Sequence, residues 1–171
     1  TVRASNCIQN KQNIKKIIDI GCGTGSQTIT LSKIFTNASL CGIDVDEFQI
    51  DIFKKKMIEH NLTSRISILN CSMTNLPFNK HSLDLIWAEG SIYIIGFRNG
   101  LRLWKRYLNN CGIIACSEVS WLCEPSKENY DYWKQNYSQI DYIENKFNTI
   151  KDCGYKLLDY YVLPRTDWKD N

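Results

Sequence analysis

The stretch KKIIDIGCGTGSQTITLSKIF, residues 15–35, decides the fold of this chain. It begins with an isoleucine run that is typical of a buried strand, and it ends in a segment with helical periodicity. Between the two, Gly21, Gly23 and Gly25 come at every second position, and Asp19 precedes them. Glycine allows positive φ and a close approach to a ligand, and the helix that follows offers free N–H groups. The stretch therefore predicts a strand, a ligand-binding turn and a helix.

Beyond this stretch, short apolar runs alternate with helix-period segments. Further strands are predicted at residues 39–44, 65–69, 83–88 and 113–119, with a half-exposed strand at 155–163. The helix before the fifth strand is expected to end at NNCG, with the glycine as its stop. Such alternation predicts right-handed crossovers, and hence an α/β fold with a Rossmann-like, doubly wound, mostly parallel sheet and helices on both faces.

Helices are predicted between and after these strands. Asp46 is expected to cap the helix after the second strand, with Phe48 and Phe53 facing inward. Later helices are predicted at residues 126–136 and 141–152. All these elements fit within one domain that spans the whole chain.

Composition excludes several classes of function. The 171 residues carry a net charge of only +3, with scattered basic residues, so nucleic acid is not an expected partner. No apolar run approaches the roughly 18 residues of a membrane span. The eight cysteines form no CxxC pair and no zinc spacing, which predicts reduced thiols in a cytoplasmic protein without a metal site.

Acidic residues recur where the predicted strands end. Asp19 lies near the end of the first strand, Asp44 ends the second, Glu89 follows the fourth and Glu118 lies near the end of the fifth. Parallel strands bring their carboxyl ends to one edge, which is where such sheets bind ligands. The pattern predicts an electronegative cleft suited to a ligand with cationic groups. An ordinary solvated edge is the alternative, because acidic residues are common at strand ends.

The glycine spacing distinguishes two cofactor classes. A dinucleotide fingerprint, GxGxxG, needs its third glycine at position 26, which is Ser26. Asp19 would also repel a pyrophosphate, whereas it would attract an α-ammonium group. Asp44, about 20 residues after the loop, can accept hydrogen bonds from ribose hydroxyls. A nicotinamide-dependent oxidoreductase is thus an alternative that these residues disfavour.

Four segments, taken in order, resemble the motifs of the class I S-adenosylmethionine-dependent methyltransferases. They are DIGCGTG (19–25), GIDVDE (42–47), LPFNKHSLDLIWAEGS (76–91) and YLNNCGIIACSE (107–118). The segments IWAEGSIYIIGFRNGLRLW and SEVSW are similar to a bacterial subgroup of small-molecule methyltransferases related to the quinone-biosynthesis type. The resemblance implies transfer of a methyl group from S-adenosylmethionine to a small-molecule acceptor, with S-adenosylhomocysteine as the product.

The resemblance also implies roles for individual positions. Asp19 and the glycine loop would hold the methionine part of the cofactor, Asp44 the ribose and Val45 the adenine. Ser72 stands where relatives often carry an aspartate for the adenine amino group, and Glu89 would border the sulfonium. The full set implied to bind the cofactor is Asp19, Gly21, Cys22, Gly23, Thr24, Gly25, Asp44, Val45, Ser72, Met73, Glu89 and Gly90.

Candidates for catalysis follow from position alone. A general base is needed only if the acceptor must lose a proton, and Glu89, Tyr93 and Glu118 are the candidates. Each also has a structural alternative, as a cofactor ligand, a loop aromatic or a partner of the backbone. Trp121 is expected to wall a substrate pocket, and Tyr130 and Trp133 could do so too; Trp87 is expected in the core.

The resemblance further predicts that the domain is truncated at both ends of this chain. Residues 1–14 would be the remnant of an N-terminal lid, and the last strand of the sheet would lie beyond residue 171. A methyltransferase-like fold kept as a non-catalytic binding module therefore remains an alternative function. Monomer and homodimer are both left open.

Overall fold

The computed structural model describes residues 1–164. Five strands form one sheet: β1 (Lys16–Ile20), β2 (Ser39–Asp44), β3 (Ile66–Asn70), β4 (Leu83–Ala88) and β5 (Leu108–Cys116). The two-residue strands β6 (Ser120–Trp121) and β7 (Asp141–Tyr142) form a separate parallel pair. The helices are α1 (Val2–Asn6), α2 (Ser26–Ile34), α3 (Glu47–Glu59), α4 (Phe97–Lys105), α5 (Lys127–Asn136) and α6 (Ile143–Asp152), with short 3₁₀ turns at Lys11–Asn13 and Ile92–Ile94.

All pairings in the main sheet are parallel, in the order β3-β2-β1-β4-β5. β1 is central, and its Asp19 lies opposite Gly42 of β2 and Trp87 of β4. From β1 the chain adds β2 and β3 on one side, and it then adds β4 and β5 on the other side. The topological switch point therefore lies between β1 and β4. The predicted Rossmann-like α/β fold is confirmed, and the carboxyl ends of all five strands share one edge.

Both faces of the sheet are buried, as its isoleucine-rich strands predict. Ile18 and Ile20 point into a core that includes Trp104 of α4. Ile17, on the opposite face, belongs to a core with Phe53 of α3. Asp19 alternates with Ile18 and Ile20, and it therefore lies on the α2 and α3 side of the sheet.

The NNCG segment is part of β5, so the predicted glycine stop is wrong. Helix α4 ends at Lys105, and β5 pairs Leu108 with Leu83 before its register shifts to pair Ile113 with Leu85. The residues between form an irregularity in the strand. Asn109 stabilises it, because its side-chain oxygen accepts a hydrogen bond from Cys111 N at 2.9 Å. The strand also ends earlier than predicted, at Cys116.

The strand predicted at 155–163 is absent from the structure, which shows no regular element between residues 155 and 164. Alternating apolar residues form a strand only where a neighbouring backbone pairs with them. Here side chains fix the segment instead. The Tyr155 hydroxyl donates to Leu101 O at 3.0 Å, and the ring of Tyr160 packs edge-on against Phe147. The last strand predicted beyond residue 171 lies outside the described residues.

The other helix predictions hold, except for the orientation of Phe48 and for residues 141–142, which form β7 and precede α6. Asp46 caps α3 by accepting hydrogen bonds from the backbone N–H groups of Phe48 and Gln49. Phe53 is fully buried, but Phe48 is 73% exposed, so its predicted inward orientation is wrong. The α3 stripe that reaches the sheet passes through Ile50 and Phe53, which leaves Phe48 on the solvent-exposed side of the helix.

Candidate functional site

The glycine loop between β1 and α2 combines two different uses of glycine. Gly21, Gly23 and Gly25 all have positive φ. A Cβ at Gly25 would overlap the Phe53 ring, and a Cβ at Gly21 would lie 2.6 Å from that of Ser91. At Gly23 the nearest neighbour would be Gln49 Oε1 at 3.9 Å. Packing therefore requires the outer two glycines, whereas the middle one leaves its surroundings open to a ligand.

Asp19 is buried beneath this loop, with 2% of its surface exposed. One carboxylate oxygen accepts a hydrogen bond from the Thr28 hydroxyl at 2.6 Å. Burial raises the pKa of Asp19 to about 7, against the opposing effect of Thr28, and the charges of Glu89 and Asp44 raise it further. A cationic group brought close to Asp19 would favour its ionised form.

Asp44 joins the glycine loop to the turn before α3. Its Oδ2 accepts from Gly23 N at 2.8 Å, while Oδ1 accepts from Val45 N at 2.8 Å and Asp46 N at 3.0 Å. A carboxylate offers about four acceptor positions. One position therefore remains free, and a ligand with two hydroxyls must also share or displace the bond to Gly23.

The surface next to Asp44 is apolar and exposed. Val45 is 65% exposed and Phe48 is 73% exposed. In the loop that follows β3, Ser72 is exposed and exchanges a 2.8 Å hydrogen bond with the Thr74 hydroxyl. Met73 O accepts from the indole of Trp104 at 2.9 Å, which fixes this loop to α4. A flat apolar ring could lie on such a surface with polar groups at its rim.

The exit of β4 places Glu89 and Gly90 on the same edge. Glu89 Oε2 accepts from Trp87 Nε1 at 3.1 Å and from the Thr1 hydroxyl at 2.8 Å. Gly90 N donates to Ser117 Oγ at 2.7 Å. Trp87 is 2% exposed, so its predicted place in the core is confirmed, and its indole nitrogen orients the carboxylate of Glu89.

A small cavity of about 40 Å³ adjoins Glu89. It lies between the ends of β4 and β5 and is lined by Ala4, Trp87, Glu89, Ala115, Cys116, Ser117, Tyr161 and Leu163. Its volume is far below the several hundred Å³ of a typical ligand pocket. A larger, shallow groove of about 420 Å³ runs along α4 beside Thr74, outside the acidic edge.

Glu118 is the residue whose surroundings the sequence did not reveal. Its Oε1 accepts from Lys146 Nζ at 2.5 Å and from the Tyr137 hydroxyl at 2.7 Å. Burial raises the pKa of Glu118, and Lys146 and Tyr137 oppose that rise. A signal for Lys146 existed, because it falls three residues after Ile143 and four before Ile150, on the apolar stripe of α6.

The three candidate catalytic groups have different settings. Glu89 is partly exposed beside the cavity, and Glu118 is paired with Lys146. The Tyr93 side chain is 44% exposed, with its ring edge-on to Tyr137 at 6.1 Å between centroids. Trp121 lies in β6 and is partly buried. Tyr130 lies on α5, a helix without buried residues, away from the cavity.

Residues 1–164 contain no cluster of three or more histidine, cysteine or acidic side chains with the geometry to hold a metal ion. All eight cysteines are free thiols. None of the helices in this part of the chain has the length and apolar character needed to cross a membrane.

Comparison with known proteins agrees with this geometry. The family model described as a methyltransferase domain matches residues 17–112. The demethylmenaquinone methyltransferase of Staphylococcus haemolyticus is 30% identical over 112 residues, which cover 61% of this chain and 44% of that protein. The chain spans less than half the length of the curated relatives that it matches.

Solved structures share the fold at low sequence identity. The S-adenosylmethionine-dependent methyltransferase of Geobacter sulfurreducens, in complex with S-adenosylhomocysteine, superposes with a TM-score of 0.76 at 18% identity, covering 93% of this chain and 66% of that one. The [4+2]-cyclase SpnF superposes with a TM-score of 0.73 at 22% identity, covering 92% and 57%. The matched region contains β1 to β4, the glycine loop and Asp44, and the chain belongs to the methyltransferase-domain family, within the class I S-adenosylmethionine-dependent methyltransferases.

Proposed function

We propose that the protein transfers a methyl group from S-adenosylmethionine to a small-molecule acceptor at the acidic edge of the sheet. The observation that carries the proposal is the joined unit of glycine loop and Asp44, in which Gly23 N donates to the carboxylate that ends β2. This unit lies within the region matched by the family model.

The residues present fit such a cofactor. Asp19, buried with a raised pKa, supplies a carboxylate that gains from an ammonium group nearby. Gly23 is the open position of the loop, and the remaining acceptor position of Asp44 suits a ribose hydroxyl. Val45 offers an exposed apolar face beside Asp44 for the adenine. Ser72 and Met73 would border that ring, with less negative charge than an aspartate would give.

Binding of the charged cofactor and alignment are what the chain's own residues would contribute. S-adenosylmethionine supplies an activated methyl group on a sulfonium, whose positive charge disappears in an in-line displacement. Glu89 and the open turn at Gly90 would border that charge, and Trp87 would keep the Glu89 carboxylate aimed at it. Correct alignment alone can lower the activation free energy by up to about 7–11 kcal/mol.

A general base is needed only when the methyl acceptor must lose a proton, and Glu89 is the best-placed candidate. It is partly exposed, and it adjoins the cavity between β4 and β5. Glu118 is less accessible, because its side chain is only 8% exposed and its Oε1 is bonded to Lys146 and Tyr137. Tyr93 could donate or accept a hydrogen bond from the same edge. The cavity must widen for an acceptor to enter, and the side chains of Ala4 and Tyr161 are among those that close it.

The small-molecule class of the acceptor is supported by relatives rather than by the site. One relative is named a demethylmenaquinone methyltransferase, and one fold neighbour is a geranyl diphosphate C-methyltransferase. Binding without methyl transfer remains a second candidate, because the fold neighbour SpnF is named a cyclase.

Calorimetric titration with S-adenosylhomocysteine, with NADH as the matched control, tests the proposal. We expect S-adenosylhomocysteine to bind and NADH not to. Incubation with methyl-labelled S-adenosylmethionine and a panel of small molecules then tests turnover. Failure of S-adenosylhomocysteine to bind the folded protein would refute the proposed cofactor site, and binding without transfer to any acceptor would favour the second candidate.

A further inference from the structure

Two buried side-chain atoms have no hydrogen-bond partner within residues 1–164, and they lie three residues apart in sequence. They are Oε2 of Glu118 and Nε1 of Trp121. Buried polar atoms are nearly always paired, because a lone one loses the hydrogen bonds that it made with water. Segment 117–121 thus carries both an unused acceptor and an unused donor.

The carboxylate of Glu118 is held firmly by its other oxygen. Lys146 and Tyr137 both donate to Oε1, and Lys146 also donates to Gln139 O at 3.0 Å. The side chains of Glu118 and Lys146 are each only 8% exposed. Charge-assisted hydrogen bonds of this kind fix the orientation of a carboxylate. Oε2 is therefore a preorganised acceptor with most of its charge compensated.

The segment that carries these atoms packs against the exit of β4. Gly90 N donates to Ser117 Oγ, directly before Glu118. The Tyr137 ring meets the Tyr93 ring edge-on, and Lys146 Nζ lies 5.3 Å from the centre of the Phe97 ring. Segment 117–121 thus adjoins the residues that the proposed function assigns to the sulfonium. An acceptor aligned for in-line transfer must bind on this part of the edge.

The chemistry of the two atoms selects a class of ligand. A second cation gains little at Oε2, because Lys146 already neutralises the carboxylate. A neutral O–H group can donate to Oε2, and its oxygen can accept from an indole N–H. The aromatic side chains of Tyr93, Tyr137 and Trp121 around this segment favour an apolar body behind that hydroxyl.

We propose that Glu118 and Trp121 recognise a hydroxyl group of the methyl acceptor, and that Lys146 and Tyr137 position Glu118 for this role. The inference rests on the proposed methyl transfer and narrows its acceptor to hydroxyl-bearing apolar molecules. An internal water molecule could make the same two bonds. The experiment therefore has to separate a ligand hydroxyl from water.

Nuclear magnetic resonance on the ¹⁵N-labelled protein separates them directly. The indole N–H signal of Trp121 is assigned through Trp121→Phe, and phenol is titrated in the presence of S-adenosylhomocysteine. Anisole, which keeps the ring and loses the O–H donor, is the matched control. We expect phenol to shift the Trp121 signal in a saturable manner, and anisole to bind at least tenfold more weakly.

Two variants test the contribution of Glu118. Glu118→Gln alone leaves Lys146 buried without its anion, so the double variant Glu118→Gln, Lys146→Met provides a neutral cluster of similar volume. In the double variant we expect the preference for phenol over anisole to fall at least tenfold, with S-adenosylhomocysteine affinity within twofold of wild type. Tyr132→Phe, which removes an exposed hydroxyl on α5, is the control and should change neither value.

The outcomes separate the two proposals. Equal binding of phenol and anisole, or an unmoved Trp121 signal, would overturn the hydroxyl site and leave water as its occupant, even if S-adenosylhomocysteine binds. A phenol preference that depends on Glu118 in a protein that fails to bind S-adenosylhomocysteine would support the hydroxyl site and refute the methyltransferase role. Loss of S-adenosylhomocysteine binding in the folded double variant would assign Glu118 to the cofactor instead.

Discussion

The two halves of the carboxyl edge are built in different ways. On the β1 and β2 side, Asp44 binds Gly23, Val45 and Asp46 through backbone N–H groups close to it in the sheet. On the β4 and β5 side, Glu118 is held by side chains of Tyr137 and Lys146, which arrive from beyond α5. In the first half the donors are backbone N–H groups that the fold supplies, whereas in the second half the donors are side chains that substitution can remove. The donors of the proposed cofactor half therefore follow from the fold, while those of the proposed acceptor half can vary with the sequence.

The largest effect is expected from the packing of the glycine loop. Gly25→Ala places a Cβ in the Phe53 ring at a position with φ +80, so strain and overlap combine to cost about 3–5 kcal/mol of unfolding free energy. Gly90→Ala is the control, since Gly90 has a similar φ but no atom within 4 Å of the added carbon. Chemical denaturation measures both. Equal losses in the two variants would show that backbone strain alone, without packing on Phe53, accounts for the glycine.

The acceptor half is expected to depend on its buried ion pair. Lys146→Met leaves the Glu118 carboxylate buried without a cation, which we expect to cost about 3–4 kcal/mol of unfolding free energy. Adding Glu118→Gln should recover most of that loss. Lys127→Met, which breaks an exposed pair with Asp131, should cost little. A Lys146 variant as stable as the wild type would contradict the assignment of this ion pair as the support of segment 117–121.

The cofactor half is expected to lose affinity when its carboxylate is removed. Asp44→Ala deletes the acceptor proposed for the ribose and frees the Gly23 N–H, so S-adenosylhomocysteine affinity should fall by about 2–3 kcal/mol. Calorimetry measures the loss, and circular dichroism checks the fold. Asp51→Ala, on the exposed surface of α3, is the matched control. Unchanged affinity in a folded Asp44 variant would remove this residue from the ribose role.

The smallest expected effect concerns the titration of Asp19. Its pKa of about 7 means that the free protein carries a proton there at acidic pH, and an ammonium partner would displace that proton. Affinity for S-adenosylhomocysteine should therefore rise with pH below 7, by at most about tenfold per pH unit, and level off above it. Asp19→Asn should abolish the slope. A slope that persists in this variant would assign the titration to another group.

Sequence reasoning brought together the residues of the proposed cofactor half because their signals are local. The glycine spacing, Asp19 and Asp44 lie within one strand–helix–strand unit, where periodicity fixes the face and the edge on which each residue falls. It did not predict that Phe53 and Ser91 pack against the glycines, because these two residues come from other elements. It also misplaced Phe48, since a capping position at Asp46 starts the helix but does not by itself set which stripe is buried.

Apolar periodicity and turn residues act over a few positions, and they were enough to predict the five strands of the parallel α/β sheet, its main helices and the acidic carboxyl edge. The folded chain was needed to show that NNCG joins β5, that residues 155–164 form no strand, and that Glu118 meets Lys146 and Tyr137. Strand pairing needs a neighbouring backbone, and a buried side-chain hydrogen bond needs a donor from another element. Both partners are distant in sequence, so the pattern within a single segment does not predict them.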